Sequence, residues 1–328
     1  MSETYDEILP QPAALGGDDC RAAAERIGPY VRRTPLFRAI VDDRPVTFKL
    51  EFLQLTGSFK IRGAVHALLS RKAERGLPDH VVTASGGNHG LGVATAARRL
   101  GVTATVYVPR GVPEVKARRI SAAGADVVRS GDSYADAELA ARELAARRGL
   151  YYVHAYDDPA VVAGQSTVGL EILADLPECD TIAVPVGGGG LLAGTAGAVR
   201  SARRGAGDAG PVVRTVAVEP AGCPTLHAAV AAGHPVDTSV DGGSVAASAL
   251  GAGRIGRPAF AAWQAGAVDL AVVDDPQIIA ARDRLWEEFR LAVEPAAATV
   301  FAAWLSGQVP GDVPCLVLSG ANAGWTPA

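Results

Sequence analysis

Lys60 is the residue whose setting asks for chemistry. It closes the run Leu55-Thr56-Gly57-Ser58-Phe59 and opens Ile61-Arg62-Gly63-Ala64. Beyond it Val65, Leu68 and Leu69 recur at helical spacing, with Arg71, Lys72 and Glu74 on the other positions. Lys60 is therefore expected in the first turn of a helix, among small and apolar neighbours. The positive end of the helix dipole disfavours an ammonium there. The same setting lowers an amine pKa and makes a neutral, nucleophilic lysine attainable, the form that Schiff-base chemistry requires. A solvated helix lysine is the plainer alternative.

Three loops carry the other candidates, each expected at the carboxyl end of a strand, where open α/β sheets bind ligands. In Ser85-Gly86-Gly87-Asn88-His89-Gly90 the glycines let backbone N–H groups converge on a small anion such as a carboxylate. A tight turn capped by Asn88, with a structural His89, is the alternative. The tetraglycine Gly187-Gly188-Gly189-Gly190, followed by Leu191, exposes successive N–H donors and makes a natural phosphate cradle. Packing alone seldom needs four such residues. Gly188 to Ala193 also satisfies the dinucleotide fingerprint G-x-G-x-x-A, which wants an acid about 20 residues on at the next strand's end. Asp208 has the spacing but falls in the loop Gly205 to Gly210, and Glu219 comes about ten residues late. A phosphate is expected and a dinucleotide is not. The third loop, Ser319-Gly320-Ala321-Asn322-Ala323-Gly324, says little by itself.

The elements that must position these groups follow from periodicity. Asp18 and Asp19 precede a helix from Cys20 to Ile27 that stops at Gly28-Pro29, and Val31 to Leu36 leads to an alternating strand, Thr47 to Leu50. Strands and helices then alternate. Strands are expected at 81–84, 104–108, 126–128 and 151–153, with helices at 91–100, 114–123, 134–148 and 160–176. The apolar run Thr181 to Val186 reads as a doubly covered strand, followed by helix 191–203 and strand 212–218. Residues 221–267, rich in Gly, Ala and Pro, resist reading. A strand at 271–273, helices at 276–289 and 295–305 and a last strand at 315–318 complete the chain. Such alternation means parallel sheets with right-handed crossovers.

Composition narrows the class. At 328 residues the chain can bury two sizeable cores. With 48% hydrophobic and 20% charged residues and a net charge of −4, a compact soluble protein is expected, with no nucleic-acid or membrane partner. No apolar run approaches a membrane span. Met1 to Asp19 lacks the basic region and apolar core of a signal peptide. Cys20, Cys179, Cys223 and Cys315 form no metal or redox spacing and fit a reducing cytoplasm.

Together, Thr56 to Ala64, the Ser85–Gly90 loop, Gly164-Gln165, Pro185-Val186 with the tetraglycine, Glu219-Pro220, Glu294-Pro295 and Ser319-Gly320 closely resemble the fold-type II pyridoxal-phosphate enzymes of the threonine/serine dehydratase branch. The segments run in family order over nearly the whole chain. The resemblance implies an α/β protein of tryptophan synthase β-like architecture with two open, twisted parallel-sheet domains. The larger would comprise 1–78 and 156–328 and the smaller, inserted one 79–155, with no C-terminal regulatory domain. It implies that Lys60 holds the aldehyde of pyridoxal 5'-phosphate and acts as catalytic base, with Phe59 near the ring and Asn88 on the ring hydroxyl. Gly187, Gly188, Gly189, Gly190 and Leu191 would hold the phosphate, and Ser319 would meet the pyridine nitrogen. Ser85, Gly86, Gly87, Asn88 and His89 would take the carboxylate of a small amino-acid substrate. The implied reaction is β-elimination from L-threonine, L-serine or a similar β-hydroxy amino acid, giving a 2-oxo acid and ammonia in a homodimer.

Departures from the family pattern refine this. Serine racemases carry a second serine where Gly86 stands, and glycine has no proton to exchange. Metal-binding relatives use a strand-end glutamate, a carbonyl four residues on and an acid six residues on; here these are Glu219, Cys223 and Thr225, so no metal is expected. Residues 246–250 lack an expected acid. β-Replacement, racemisation, a nucleotide-binding oxidoreductase and a non-catalytic amino-acid-binding protein are the alternatives.

Overall fold

The computed structural model describes residues 15–206, 212–238 and 243–322. Asp208, Ala323 and Gly324, to which the sequence reading gave a place, lie outside the described residues, as does most of the N-terminal stretch.

Among the described residues ten strands form two sheets. The first six-residue strands, β1 (Leu36–Val41) and β2 (Arg44–Lys49), make an antiparallel hairpin. Sequence reading missed β1, because its turn is Asp42-Asp43 and holds no glycine. Both aspartates have positive φ, 49° and 59°, which suits a tight hairpin turn. Then follow β3 (His80–Ala84), β4 (Thr103–Val108), β5 (Asp126–Arg129) and β6 (Tyr151–Tyr152), which form an all-parallel sheet in the order β5-β4-β3-β6. The last strands are β7 (Thr181–Pro185), β8 (Arg214–Pro220), β9 (Asp269–Val273) and β10 (Pro314–Val317). They join the hairpin in the order β1-β2-β10-β7-β8-β9, parallel from β2 onward.

The helices are α1 (Gly17–Ile27), α2 (Lys60–Arg75), α3 (Asn88–Leu100), α4 (Glu114–Ala122), α5 (Tyr134–Arg148), α6 (Pro159–Asp175) and α7 (Gly190–Ala206). After them come α8 (Thr225–Ala232), α9 (Ala247–Leu250), α10 (Arg257–Gln264), α11 (Asp275–Phe289) and α12 (Pro295–Leu305). Among its described residues the unreadable stretch therefore holds three short helices. α1 begins ahead of its expected start: Gly16 is the cap, and Asp19, now inside the first turn, accepts its N–H at 2.9 Å. Alternate residues of the large sheet face opposite layers. Ala183, Val216, Val218 and Leu316 meet α11 and α12, while Ile182, Val184, Ala217 and Cys315 meet α6, α7 and α10. In the small sheet Val81 and Val106 meet α3 and α4, and Val82 and Ala84 meet α5. Among the described residues no helix is long and apolar enough to cross a membrane.

β2 departs from the alternation expected of it. Its last four residues are all buried, as both faces of the strand are covered. Lys49 is wholly buried and donates to Glu171 at 2.6 Å and to the Thr34 carbonyl at 2.7 Å. Arg62 on α2, also fully buried, clasps Glu51 with two bonds of 2.7 and 2.8 Å and reaches Glu171 at 2.7 Å. Two cations and two carboxylates thus satisfy one another between β2, α2 and α6. Removing one member would strand a buried charge, at a cost of about 3–5 kcal/mol. α2 and α6 also cross closely: a Cβ at Gly164 would lie 2.6 Å from the Arg62 carbonyl oxygen.

Candidate active site

The loop before Lys60 is bent by two left-handed residues, Thr56 (φ 70°) and Gly57 (φ 73°). It is stitched to the loop after β10. Phe59 N–H donates to the Ser319 carbonyl at 3.2 Å, Ala321 N–H to the Gly57 carbonyl at 3.0 Å, and Ser58 bridges Gly320. Lys60 then opens α2 as expected. The residue is half-buried; its amine donates to the Ala155 carbonyl at 3.0 Å and lies 5.3 Å from the centre of the Phe59 ring. Loss of hydration lowers its pKa from 10.5 to about 8. Burial is thus the cause that dominates, where the sequence pointed first to the dipole.

Asn88 is not a loop residue. It is the first residue of α3, and Gly87 occupies the cap. α3 passes so close to the Lys60 turn that a Cβ at Gly92 would sit 3.2 Å from the Lys60 carbonyl carbon. This brings Asn88 against the far loop. Its Nδ2 donates to Glu294 Oε1 at 2.8 Å, and Asn322 Nδ2 donates to its Oδ1 at 2.8 Å. Asn322 also donates through Nδ2 to the Thr56 carbonyl at 2.6 Å and through its backbone N–H to Glu294 Oε2 at 3.1 Å. Burial pushes the Glu294 carboxyl above its ordinary pKa, against the pull of these bonds. A Cβ at Gly320 would lie 2.5 Å from Glu294 Oε1, so only glycine admits the carboxyl there. Sequence reasoning gave Glu294 and Asn322 no role. Glu294 before Pro295 reads as a helix cap, and Asn322 as one polar residue of a loop.

In the loop between β3 and α3, Gly87 N–H donates to Ser85 Oγ at 3.2 Å. A Cβ at Gly86 would lie 2.6 Å from a methyl of Val112. The His89 side chain departs from the substrate set. It is 3% exposed and turned to the Val153 carbonyl, with Nε2 at 3.1 Å. A carbonyl only accepts, so Nε2 carries the proton. Burial first, then the Lys60 charge, lowers its pKa to about 3. The ring is neutral, and only the His89 backbone remains for an anion.

The tetraglycine has a packing reason at every position, which corrects the expectation that packing seldom needs four. A Cβ at Gly187 would lie 2.7 Å from the Leu250 carbonyl oxygen, and one at Gly190 would lie 3.1 Å from Tyr156 Cα. One at Gly188 would enter the Tyr156 ring, and one at Gly189, whose φ is 83°, would enter Ala259. Their carbonyls turn to the protein: Thr225 Oγ1 reaches the Gly187 oxygen at 2.7 Å, and Gly256 N–H reaches that of Gly188 at 3.0 Å. The N–H groups of Gly187 to Leu191 find no acceptor among the described residues. Glu219 lies within β8 and caps α8 instead, accepting from Leu226 N–H at 2.7 Å, His227 N–H at 3.0 Å and His227 Nδ1 at 2.8 Å. Ser319 is 4% exposed, and its hydroxyl bonds no described residue.

Residues 27–320 match the family described as pyridoxal-phosphate dependent enzyme. The chain belongs to this family. The enzyme is 38% identical to an L-threonine ammonia-lyase of Geobacter sulfurreducens over 307 residues, 92% of this chain and 74% of that protein. Among solved structures it is similar to maize serine racemase, with a TM-score of 0.85 and 31% identity over 95% of this chain and 94% of the other. It is also similar to a T.th. threonine deaminase, with a TM-score of 0.85 and 33% identity over 95% of this chain and 100% of the other. Pyridoxal phosphate brings a phosphate, an aldehyde and a ring nitrogen. The unpaired N–H groups of Gly187 to Leu191, the Lys60 amine and the Ser319 hydroxyl fit these three.

Proposed function

We propose that the enzyme eliminates the β-hydroxyl of a β-hydroxy amino acid such as L-threonine or L-serine, giving a 2-oxo acid and ammonia. The observation that carries this reading is the Phe59–Ser319 stitch, which sets a neutral hydroxyl, not a carboxylate, beside the loop of the desolvated Lys60. When bound, the cofactor supplies an electron sink for the α-carbanion, weaker opposite a neutral hydroxyl than opposite a carboxylate.

In this reading Lys60 holds the cofactor's aldehyde, with Phe59 beside the ring and Asn88 at the ring oxygen. The N–H groups of Gly187 to Leu191 bind the phosphate, and Ser319 bonds the ring nitrogen. The backbone of residues 85–89, Asn88 included, takes the substrate carboxylate. Lys60 also removes the α-proton, and an amine pKa of about 8 suits a base working near neutral pH. Gly86 offers only backbone on the opposite side, and Val112 fills the space beside it. Elimination is favoured over inversion for that reason. We further read residues 79–155 as the smaller domain, 1–78 with 156–328 as the larger, and the assembly as a cytoplasmic homodimer that binds no nucleic acid. The test is ammonia release by cofactor-loaded enzyme. Production from L-threonine or L-serine supports the assignment, and silence with every β-hydroxy amino acid overturns it.

A further inference from the structure

Lys116 and Arg119 stand one turn apart on α4 and line an open pocket together with Gly86, Asn88, Ser248 and Glu294. The pocket opens where the expected carboxylate loop ends. Its Asn88 wall is one turn of α3 from Gly92, where a Cβ would lie 3.2 Å from the Lys60 carbonyl carbon. It spans the two sheets' helices, for α9 brings the Ser248 carbonyl oxygen within 3.6 Å of a Cβ at Gly87.

Its lining mixes polar and apolar surface, and its charge is lopsided. Leu91 is the only apolar residue among the described lining residues, while Lys116 and Arg119 bring two cations against the one carboxylate of Glu294. Both oxygens of Glu294 are engaged, by the Asn88 amide and by the Asn322 N–H. Lys116, half-buried, acts on that carboxyl only through its charge. The guanidinium of Arg119 has no hydrogen-bonded or ionic partner among the described residues, whereas its neighbour Arg118 pairs with Glu114 at 3.4 Å. Two cations at i and i+3 thus face one shared recess with their donors unengaged, a setting that suits a carboxylate.

We propose that the preferred substrate is a β-hydroxy amino acid bearing a second carboxylate on its β-carbon, held by Lys116 and Arg119. The inference rests on the elimination reading. The reaction balances without a further reactant. Cα–H and Cβ–O break, and the hydroxide leaves as water with the α-proton. The enamine diacid then tautomerises and takes up that water to release ammonia and a 2-oxo diacid, with no net redox change.

Two measurements test it. In calorimetric titration of the cofactor-loaded enzyme, succinate should bind at least roughly tenfold tighter than butyrate, which has the same carbon count and one carboxylate. In turnover, kcat/KM for 3-hydroxyaspartate should exceed that for L-serine. Arg119→Gln, on an exposed side chain, should lower that ratio by roughly ten- to a hundredfold, and Arg119→Glu further. Equal binding of succinate and butyrate, or a ratio unmoved by both variants, overturns the inference. If no substrate yields ammonia, the elimination reading fails, and the succinate comparison still decides the cationic pocket on its own.

Discussion

Gly86 offers the sharpest test of elimination against racemisation. Inversion at the α-carbon needs a proton acceptor on one face and a donor on the other. Lys60 serves one; the residue expected to serve the other is a glycine. A positioned acid or base contributes roughly 10²–10⁴-fold, so D-serine should form from L-serine at about 10⁻² of the pyruvate rate or less. The structure adds a condition for restoring the missing group. At Gly86 a Cβ falls 2.6 Å from a Val112 methyl, about 1 Å inside ordinary contact, and such overpacking costs about 1–3 kcal/mol. Gly86→Ser alone should therefore distort the loop and lose turnover of both kinds. Gly86→Ser with Val112→Ala removes the clashing methyls and should raise the D-serine to pyruvate ratio at least roughly tenfold. Chiral chromatography and a pyruvate-coupled assay on the same incubations give both numbers. Comparable D-serine and pyruvate from the unmutated enzyme would refute the reasoning, because another residue would then guard that face.

Lys60→Ala should abolish turnover, and borohydride should fix the cofactor's mass on the Lys60 peptide of the wild type only. Without cofactor, Lys60 also leaves a mark on stability. Its pKa falls from 10.5 to about 8 on folding, so between those values the unfolded chain binds more protons and stability rises with pH. The deficit of wild type relative to Lys60→Met should be full below pH 8 and shrink toward pH 10.5; a pH-independent difference contradicts the desolvated amine. Gly189→Ala places a side chain at positive φ and into Ala259, for a loss of about 2–5 kcal/mol visible in the thermal melt, together with faster loss of cofactor on dialysis. With the Glu219 carboxylate taken by the first turn of α8, EDTA should leave turnover intact. Activity that returns only with magnesium or calcium would show otherwise.

What the sequence disclosed was what is local. Lys60 at a helix start, the glycine loops after β3 and β7, and the strand–helix alternation all follow from neighbours in the chain. Three kinds of feature did not. The β1 hairpin turns on two aspartates in the left-handed region, a conformation that carries no Asn-Gly or Asp-Gly signature. The Asn88–Glu294–Asn322 network joins the start of α3 to residues hundreds of positions away, each with an adequate local explanation as cap or loop residue. The helices of 225–264 are short and built of small residues, and Ile255 and Ala259 are held by their place over the tetraglycine more than by any period. His89 reads from its loop as a structural residue and joins the substrate loop only by resemblance; the fold commits its ring to a strand-end carbonyl and leaves its backbone for an anion.

The buried ring of Lys49, Glu51, Arg62 and Glu171 has a consequence for how this sequence can drift. Each member is answerable to charges of the opposite sign on other elements, so no single replacement that changes a charge keeps the cluster neutral. A change of charge at one member calls for a matching change at another. The ring also sets the phase of a helix. A one-residue slip of α2 would present Ile61 or Gly63 to the carboxylates in place of Arg62, an arrangement two unpaired acids could not tolerate. Lys60, two residues upstream of Arg62, inherits its rotational setting from that lock. The heading of the amine is thus decided by buried partners far from any substrate.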